Sequence, residues 1–244
     1  MKNSFIRIIR GIMTVFCFGL FGVGALFIRY LIFPFQKSRI KNYETLQKSW
    51  QFFIWLLKAL TIIKIKKDDI DKLKNIKNSI IVSTHPSFID IVILMSIIPH
   101  ATCFVAEKLS NNPFFKGMVD LLFILEGQNQ EQWVKQACDM LDSGLNIIIF
   151  PMGTRHRKNE LLKIRRGAAL IAQKSKRNIA VIKMETSFDF LQVHQPIYEA
   201  GTEPVEYTIE YRGIINTAEF LEKYPDDVTC KTELTKEIKH ILYS

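Results

Sequence analysis

The chain changes pattern about a quarter of the way along. Residues 11–28, GIMTVFCFGLFGVGALFI, carry no charge. As a helix they would measure about 27 Å, just short of the ~30 Å hydrocarbon core of a bilayer. A second apolar stretch, residues 50–63 (WQFFIWLLKALTII), contains one charge, Lys58, and tryptophans at 50 and 55. The FPF at 33–35 ends the first helix, because proline cannot continue it. Arg7 and Arg10 precede the first stretch, while Arg29, Lys37, Arg39 and Lys41 follow it, so basic residues flank both ends and the positive-inside rule gives no direction. The expectation is a helical pair dipped into the cytoplasmic leaflet, with its basic linker on lipid headgroups. A single membrane-spanning anchor is a close alternative. A cleaved signal peptide ending near Val23-Gly24-Ala25 is a weaker one, since the second apolar stretch argues against it.

Beyond residue 67, short β-branched runs alternate with amphipathic segments. Strands are expected at 79–83, 102–105, 122–125, 146–150, 179–184, 192–196 and 205–211, and helices at 87–98, 130–141, 166–174 and 232–242. Several of these strands are almost wholly apolar, as strands covered on both faces are. Helices between strands imply crossover units, hence an α/β fold: a mostly parallel central sheet of about seven strands flanked by helices, with the N-terminal helical pair as an appendage. The last two expected strands lack a helix between them, which makes that edge antiparallel. The division is residues 1–66 for the membrane-associated pair and 67–244 for the α/β domain.

Composition narrows the classes. With 48% apolar and 23% charged residues the chain folds rather than remaining disordered. The net charge of +9 suits an anionic surface or substrate. No nucleic-acid reading motif, no G-x-x-x-x-G-K-[ST] and no G-x-G-x-x-G occurs, so nucleic-acid and nucleotide readings are set aside. Cys17, Cys103, Cys138 and Cys230 form no C-x-x-C pair and no metal-ligand spacing; they read as reduced packing residues facing the cytosol, and no metal or cofactor is expected.

The apolar segment 80–94, IIVSTHPSFIDIVIL, contains His85 and Asp90. On one helix, residues five apart point about 140° from each other. With His85 at a strand-to-helix corner, however, the Asp90 carboxylate can turn back to its ring. A carboxylate on one imidazole nitrogen fixes the tautomer and leaves the other to take a proton from a hydroxyl. Ser87-x-x-Asp90 is also the spacing of a capping box, which needs no chemistry. On this segment alone the capping reading carries more weight.

A second segment reverses that preference. Residues 146–158, NIIIFPMGTRHRK, form a buried strand, a Pro-x-Gly turn and a burst of cations. Such a turn can aim backbone N–H groups outward, and Arg155 adds a rigid charged fork, giving an anion site at the carboxyl end of a strand. For His156, Arg157 and Lys158 a solvated loop is the preferred reading. His100, His194 and His240 read as structural or exposed.

HPSFID resembles the H-x-x-x-x-D block of glycerolipid acyltransferases, the group that includes 1-acyl-glycerol-3-phosphate acyltransferases, and FPMGTR resembles their F-P-E-G-T-R block. NPFFKG and KIRRGAALIAQKS resemble the elements between and after these blocks, so the likeness runs from about residue 50 to 200. Thr84 stands where the family usually has Asn, Met152 where it has Glu, Gln128 where it commonly has Arg, and Ala180 where it has Pro. The expected basic residue near AEKL is displaced to Lys108.

The resemblance implies direct acyl transfer from a thioester, either acyl-CoA or an acyl carrier protein, to a lysophospholipid or a related lipid-like hydroxyl. His85 and Asp90 would be catalytic. Gly153, Thr154, Arg155, Met152 and Lys108 would bind substrate, with N–H groups near Gly153 and Thr154 facing the oxyanion. The expected setting is the cytoplasmic membrane, with the domain facing the cytosol and membrane lipids as partners. The competing reading is a non-catalytic lipid- or carrier-binding homologue.

Overall fold

The structure is a computed structural model that describes residues 2–67, 70–106, 119, 122–126, 129–155 and 163–244. Helix α1 (Lys2–Phe27) runs into a π turn (Ile28–Ile32) and a 3-10 turn (Phe33–Phe35), with Pro34 at the start of the latter. Helix α2 (Arg39–Ala59) returns to strand β1 (Ile63–Lys67). After α3 (Ile70–Lys74) come β2 (Ile80–Ser83), α4 (Asp90–Ile97), β3 (Ala101–Ala106) and β4 (Ile124–Glu126). Helix α5 (Gln130–Asp142), β5 (Asn146–Ile149), α6 (Gly167–Ser175), β6 (Ile179–Thr186) and β7 (Val205–Ile215) follow, then α7 (Thr217–Lys223) and α8 (Asp227–Tyr243). Asn129 and Asp226 cap α5 and α8 by accepting the Glu131 and Thr229 amides.

The seven strands lie in the order β1-β7-β6-β2-β5-β3-β4. From β6 to β4 every neighbour is parallel, while β7 is antiparallel to β6 and carries β1 parallel on its outer side. The central strands are buried where they pair with one another: Ile80 to Val82, Ile147, Ile148 and Ile179 to Ile182 are at most 1% exposed. Burial on both faces is why they read as unbroken apolar runs.

Two expectations about strands need correcting. Residues 192–196 form turns, with positive φ at Leu191 and His194, and the antiparallel partner of β7 is β6. The seventh strand is instead β1, whose IKIKK alternation suits an edge that lysines keep from pairing with another chain.

That strand also crosses the expected division at 66/67. Helix α2 is tied to the body in the same way. Its Tyr43, Leu46, Trp50, Phe53, Ile54 and Leu57 form one buried stripe at helical spacing. Tyr43 Oη donates to Leu122 O (2.8 Å), Gln51 Nε2 donates to Ser96 O (2.9 Å), and Trp50 stacks on Phe123. The two N-terminal helices are therefore unequal. Helix α2 covers the α/β core, whereas α1 leaves Phe5, Ile8, Ile12, Phe16, Val23 and Phe27 exposed. The segment Asn3–Phe35 is long and apolar enough to cross a membrane. Phe18 and Phe21 pack on Phe53 of α2, and the Arg10 guanidinium donates to the Thr61 and Ile62 carbonyls at the end of α2.

Candidate active site

The parallel strands β5, β2 and β6 end side by side, and the chain leaving them forms the site. Thr84 follows β2 and is 3% exposed. Its hydroxyl accepts the Met184 N–H (2.6 Å) and donates to Met184 O (2.7 Å), extending the β2–β6 ladder by one side-chain step. The backbone is then free to turn, and His-Pro-Ser-Phe-Ile forms the corner before α4. The helix begins at Asp90, three residues later than the pattern suggests.

At that corner His85 Nδ1 lies 3.0 Å from Asp90 Oδ2. The same carboxylate oxygen accepts the Ser87 N–H at 2.7 Å, which is the backbone half of a capping box. The capping contact and the contact that the catalytic reading requires thus share one oxygen atom. Asp90 is fully buried, and its Oδ1 has no hydrogen-bond partner. Burial pushes its carboxyl above the usual range, opposed by the hydrogen bond and charge of His85, the Ser87 amide and the charge of Arg155. Ser87 is held in turn by Tyr207 of β7, whose hydroxyl donates to Ser87 Oγ (2.8 Å). Burial, aided by the Asp90 charge, raises that phenol well above its ordinary value.

The second block meets the first directly. Phe150, the residue after β5, stacks on His85 with ring centroids 3.9 Å apart and planes 12° from parallel. The following turn closes with the Gly153 N–H donating to Phe150 O (2.9 Å), and Gly153 has φ +73°. That amide is already occupied, which corrects its expected place among the oxyanion donors. Arg155 leaves the turn, lies over the Phe88 ring (5.6 Å) and donates to Leu191 O (2.6 Å). Burial lowers its pKa and the nearby Asp90 charge raises it. Gln192 Nε2 donates to Pro86 O, and the Phe88 amide donates to Leu191 O (3.3 Å). Residues 191–192 therefore clamp the corner and the arginine together. Met152 is 4% exposed, at the start of the turn.

His85, Asp90, Met152, Gly153, Thr154 and Arg155 thus follow the carboxyl ends of two neighbouring parallel strands, β2 and β5. Lys108, Gln128, His156, Arg157, Lys158 and the NPFFKG turn lie outside the described residues. Sequence reasoning missed Phe150, Tyr207, Leu191 and the particular place of Arg165. The Arg165 guanidinium covers Gly153 so closely that a Cβ there would come within 2.4 Å of Cζ. Only Tyr207 left a sequence signal, since the alternation Val205, Tyr207, Ile209 puts it on a buried face.

A mostly parallel α/β sheet with a His–Asp dyad and an arginine turn at the carboxyl ends of its central strands is the class that these features define. Residues 64–185, half of the chain, match the acyltransferase family model, and the chain belongs to that family. It is 26% identical over 192 residues to a chloroplastic 1-acyl-sn-glycerol-3-phosphate acyltransferase of Arabidopsis thaliana, covering 75% of this chain and 50% of that protein. It is 33% identical over 102 residues to a 1-acyl-sn-glycerol-3-phosphate acyltransferase of Helicobacter pylori, covering 39% and 43% respectively. The chain therefore spans about half the length of the curated relatives it matches. In fold it is similar to the 1-acyl-sn-glycerophosphate acyltransferase PlsC of Thermotoga maritima, with TM-score 0.73, 15% identity and coverage of 100% of this chain and 96% of that one.

Proposed function

We propose that this chain is a membrane-associated O-acyltransferase. It moves a fatty acyl group from acyl-CoA or an acyl carrier protein to the hydroxyl of a lysophospholipid, such as 1-acyl-glycerol-3-phosphate, or of a related lipid-like acceptor. The observation that carries this reading is the His85 Nδ1–Asp90 Oδ2 contact of 3.0 Å beside the arginine turn. With Nδ1 facing the carboxylate, Nε2 is the nitrogen that takes the acceptor proton. The acceptor oxygen attacks the thioester carbonyl carbon and the C–O bond forms. The C–S bond then breaks, and the imidazolium returns its proton to the departing thiolate. No acyl-enzyme is required.

The Thr154 amide is the turn donor assigned to the oxyanion, and preorganised donors of this kind contribute about 3–4 kcal/mol each. Arg155 holds a phosphate of donor or acceptor. Met152 replaces the family's glutamate with an uncharged side chain beside this anion site, so acceptor choice is where this chain departs from its relatives. The exposed apolar stripe of α1 anchors the domain to the cytoplasmic membrane, with the site facing the cytosol.

The test is thiol release from acyl-CoA and acyl carrier protein against a panel of lyso-lipids. His85→Ala abolishes transfer and leaves the chain in the membrane fraction. Equal turnover by His85→Ala rejects the base, and no turnover with any acceptor favours a non-catalytic binder. Met152→Glu raises activity on lysophosphatidic acid relative to other acceptors.

A further inference from the structure

A cavity of about 640 Å³ opens between the first turns of α1 and the segment 189–201. Neither His85, Asp90 nor Arg155 lines it. One wall is apolar: Ile8 and Ile12, both of which belong to the exposed stripe of α1. The other carries Asp189, Tyr198 and Glu199, and Arg7, near the start of α1, also lines the opening. The walls meet where α1 thins to Gly11, since a Cβ there would stand 2.3 Å from Tyr198 O. This contact sets the spacing between the helix and the segment.

The charges are unusual for this molecule. In a chain of net charge +9, the cavity sets two carboxylates against one guanidinium. Among the described residues, none of the three forms an ion pair with a protein group. Tyr198 is 67% exposed and lines the same cavity as the carboxylates. Carboxylates next to an exposed aromatic ring select a cation, and an ammonium most readily. Arg7 selects a phosphate. The apolar wall, continuous with a lipid-facing helix, selects acyl chains. A volume of this size accommodates a headgroup and the first part of its chains.

We propose that this cavity binds the headgroup of a resident zwitterionic phospholipid. Its ammonium sits at Asp189, Glu199 and the ring of Tyr198, its phosphate at Arg7, and its chains run along Ile8 and Ile12. The lipid is not the acyl acceptor, because neither His85 nor Asp90 lines the cavity. Bound there, it fixes α1 against the segment that supplies Leu191 O to Arg155 and Gln192 to Pro86 O.

The experiment is calorimetric titration of the full chain in detergent with dihexanoylphosphatidylethanolamine, below its own micelle concentration. This lipid has no free hydroxyl to acylate, so the result is independent of the proposed activity. Dihexanoylphosphatidylglycerol, which lacks the ammonium, is the second arm. The ethanolamine lipid binds saturably and about tenfold more tightly than the glycerol lipid, the effect of one well-placed charged contact. Asp189→Asn with Glu199→Gln removes that preference and leaves the glycerol arm unchanged. Tyr198→Ala weakens ethanolamine-lipid binding, Tyr198→Phe preserves it, and His85→Ala binds as wild type. Equal affinity for the two lipids overturns the proposal. So does wild-type preference in both the charge-neutralised variant and Tyr198→Ala.

Discussion

The imidazole of His85 lies flat on the ring of Phe150, 3.9 Å away and 12° from parallel. The two sequence blocks are thereby in contact through the first residue of one and the first of the other. Asp90 fixes one edge of the imidazole, and Phe150 fixes its plane. Together they leave the ring little freedom except to present Nε2. Phe150→Ala removes the stack and lets the ring swing, and small misplacements of a catalytic group cost about a hundredfold. A fall in kcat of about ten- to hundredfold with KM little changed is expected, and Phe150→Tyr retains most activity. Steady-state kinetics of the two variants check this.

Under the proposed mechanism, Asp90 sets catalysis against stability. Its buried carboxyl is raised above the ordinary range. Between its unfolded and folded pKa values the native state keeps a proton that the unfolded chain has released, so stability falls as pH rises through that window. Asp90→Asn has no such proton to lose. The variant gains melting temperature relative to wild type as pH rises from the ordinary carboxylate range, while transfer falls by about 10³–10⁴-fold, as expected when the wrong tautomer is favoured. Parallel melting profiles across pH contradict the account.

How much of this was legible in the sequence depends on the kind of residue. The central strands were readable because burial on both faces forces apolar runs such as IIVS and NIII. Strand β1 was missed because an edge strand with every second residue Lys looks like a charged linker. Residues 192–196 misled in the opposite direction: QVHQP has one β-branched residue, Val193, between polar ones, and long-range contacts from Gln192 and Leu191 bend the segment into a clamp. Of the site, His85 and Asp90 stood out as polar residues in an apolar run and Arg155 as part of the cation burst after a Pro-x-Gly turn, and the resemblance to the family blocks gave them roles. Phe150, Tyr207 and Arg165 were not, since their roles come from elements brought together only by the sheet order.

Thr84, a departure from the family pattern, has a physical account. Its hydroxyl satisfies both the N–H and the C=O of Met184 in a buried position. Thr84→Val keeps the shape and orphans both groups, which costs about 1–3 kcal/mol. Thr84→Ser keeps the bonds. Urea denaturation is expected to separate the two variants by that amount, with Thr84→Ser near wild type.

Gly153 is constrained twice. Its φ of +73° lies in the left-handed region, where a Cβ costs roughly 1 kcal/mol or more. That Cβ would also stand 2.4 Å from Arg165 Cζ and 2.7 Å from its Nε and Nη1. The strain belongs to the backbone, but the clash belongs to a side chain that can be removed. Gly153→Ala should therefore destabilise by about 1–3 kcal/mol. Adding Arg165→Ala relieves the steric part alone, so the double variant recovers about 1 kcal/mol relative to the sum of the single variants. A double-mutant cycle by urea denaturation measures the coupling. Strict additivity would mean that the guanidinium does not rest on the turn.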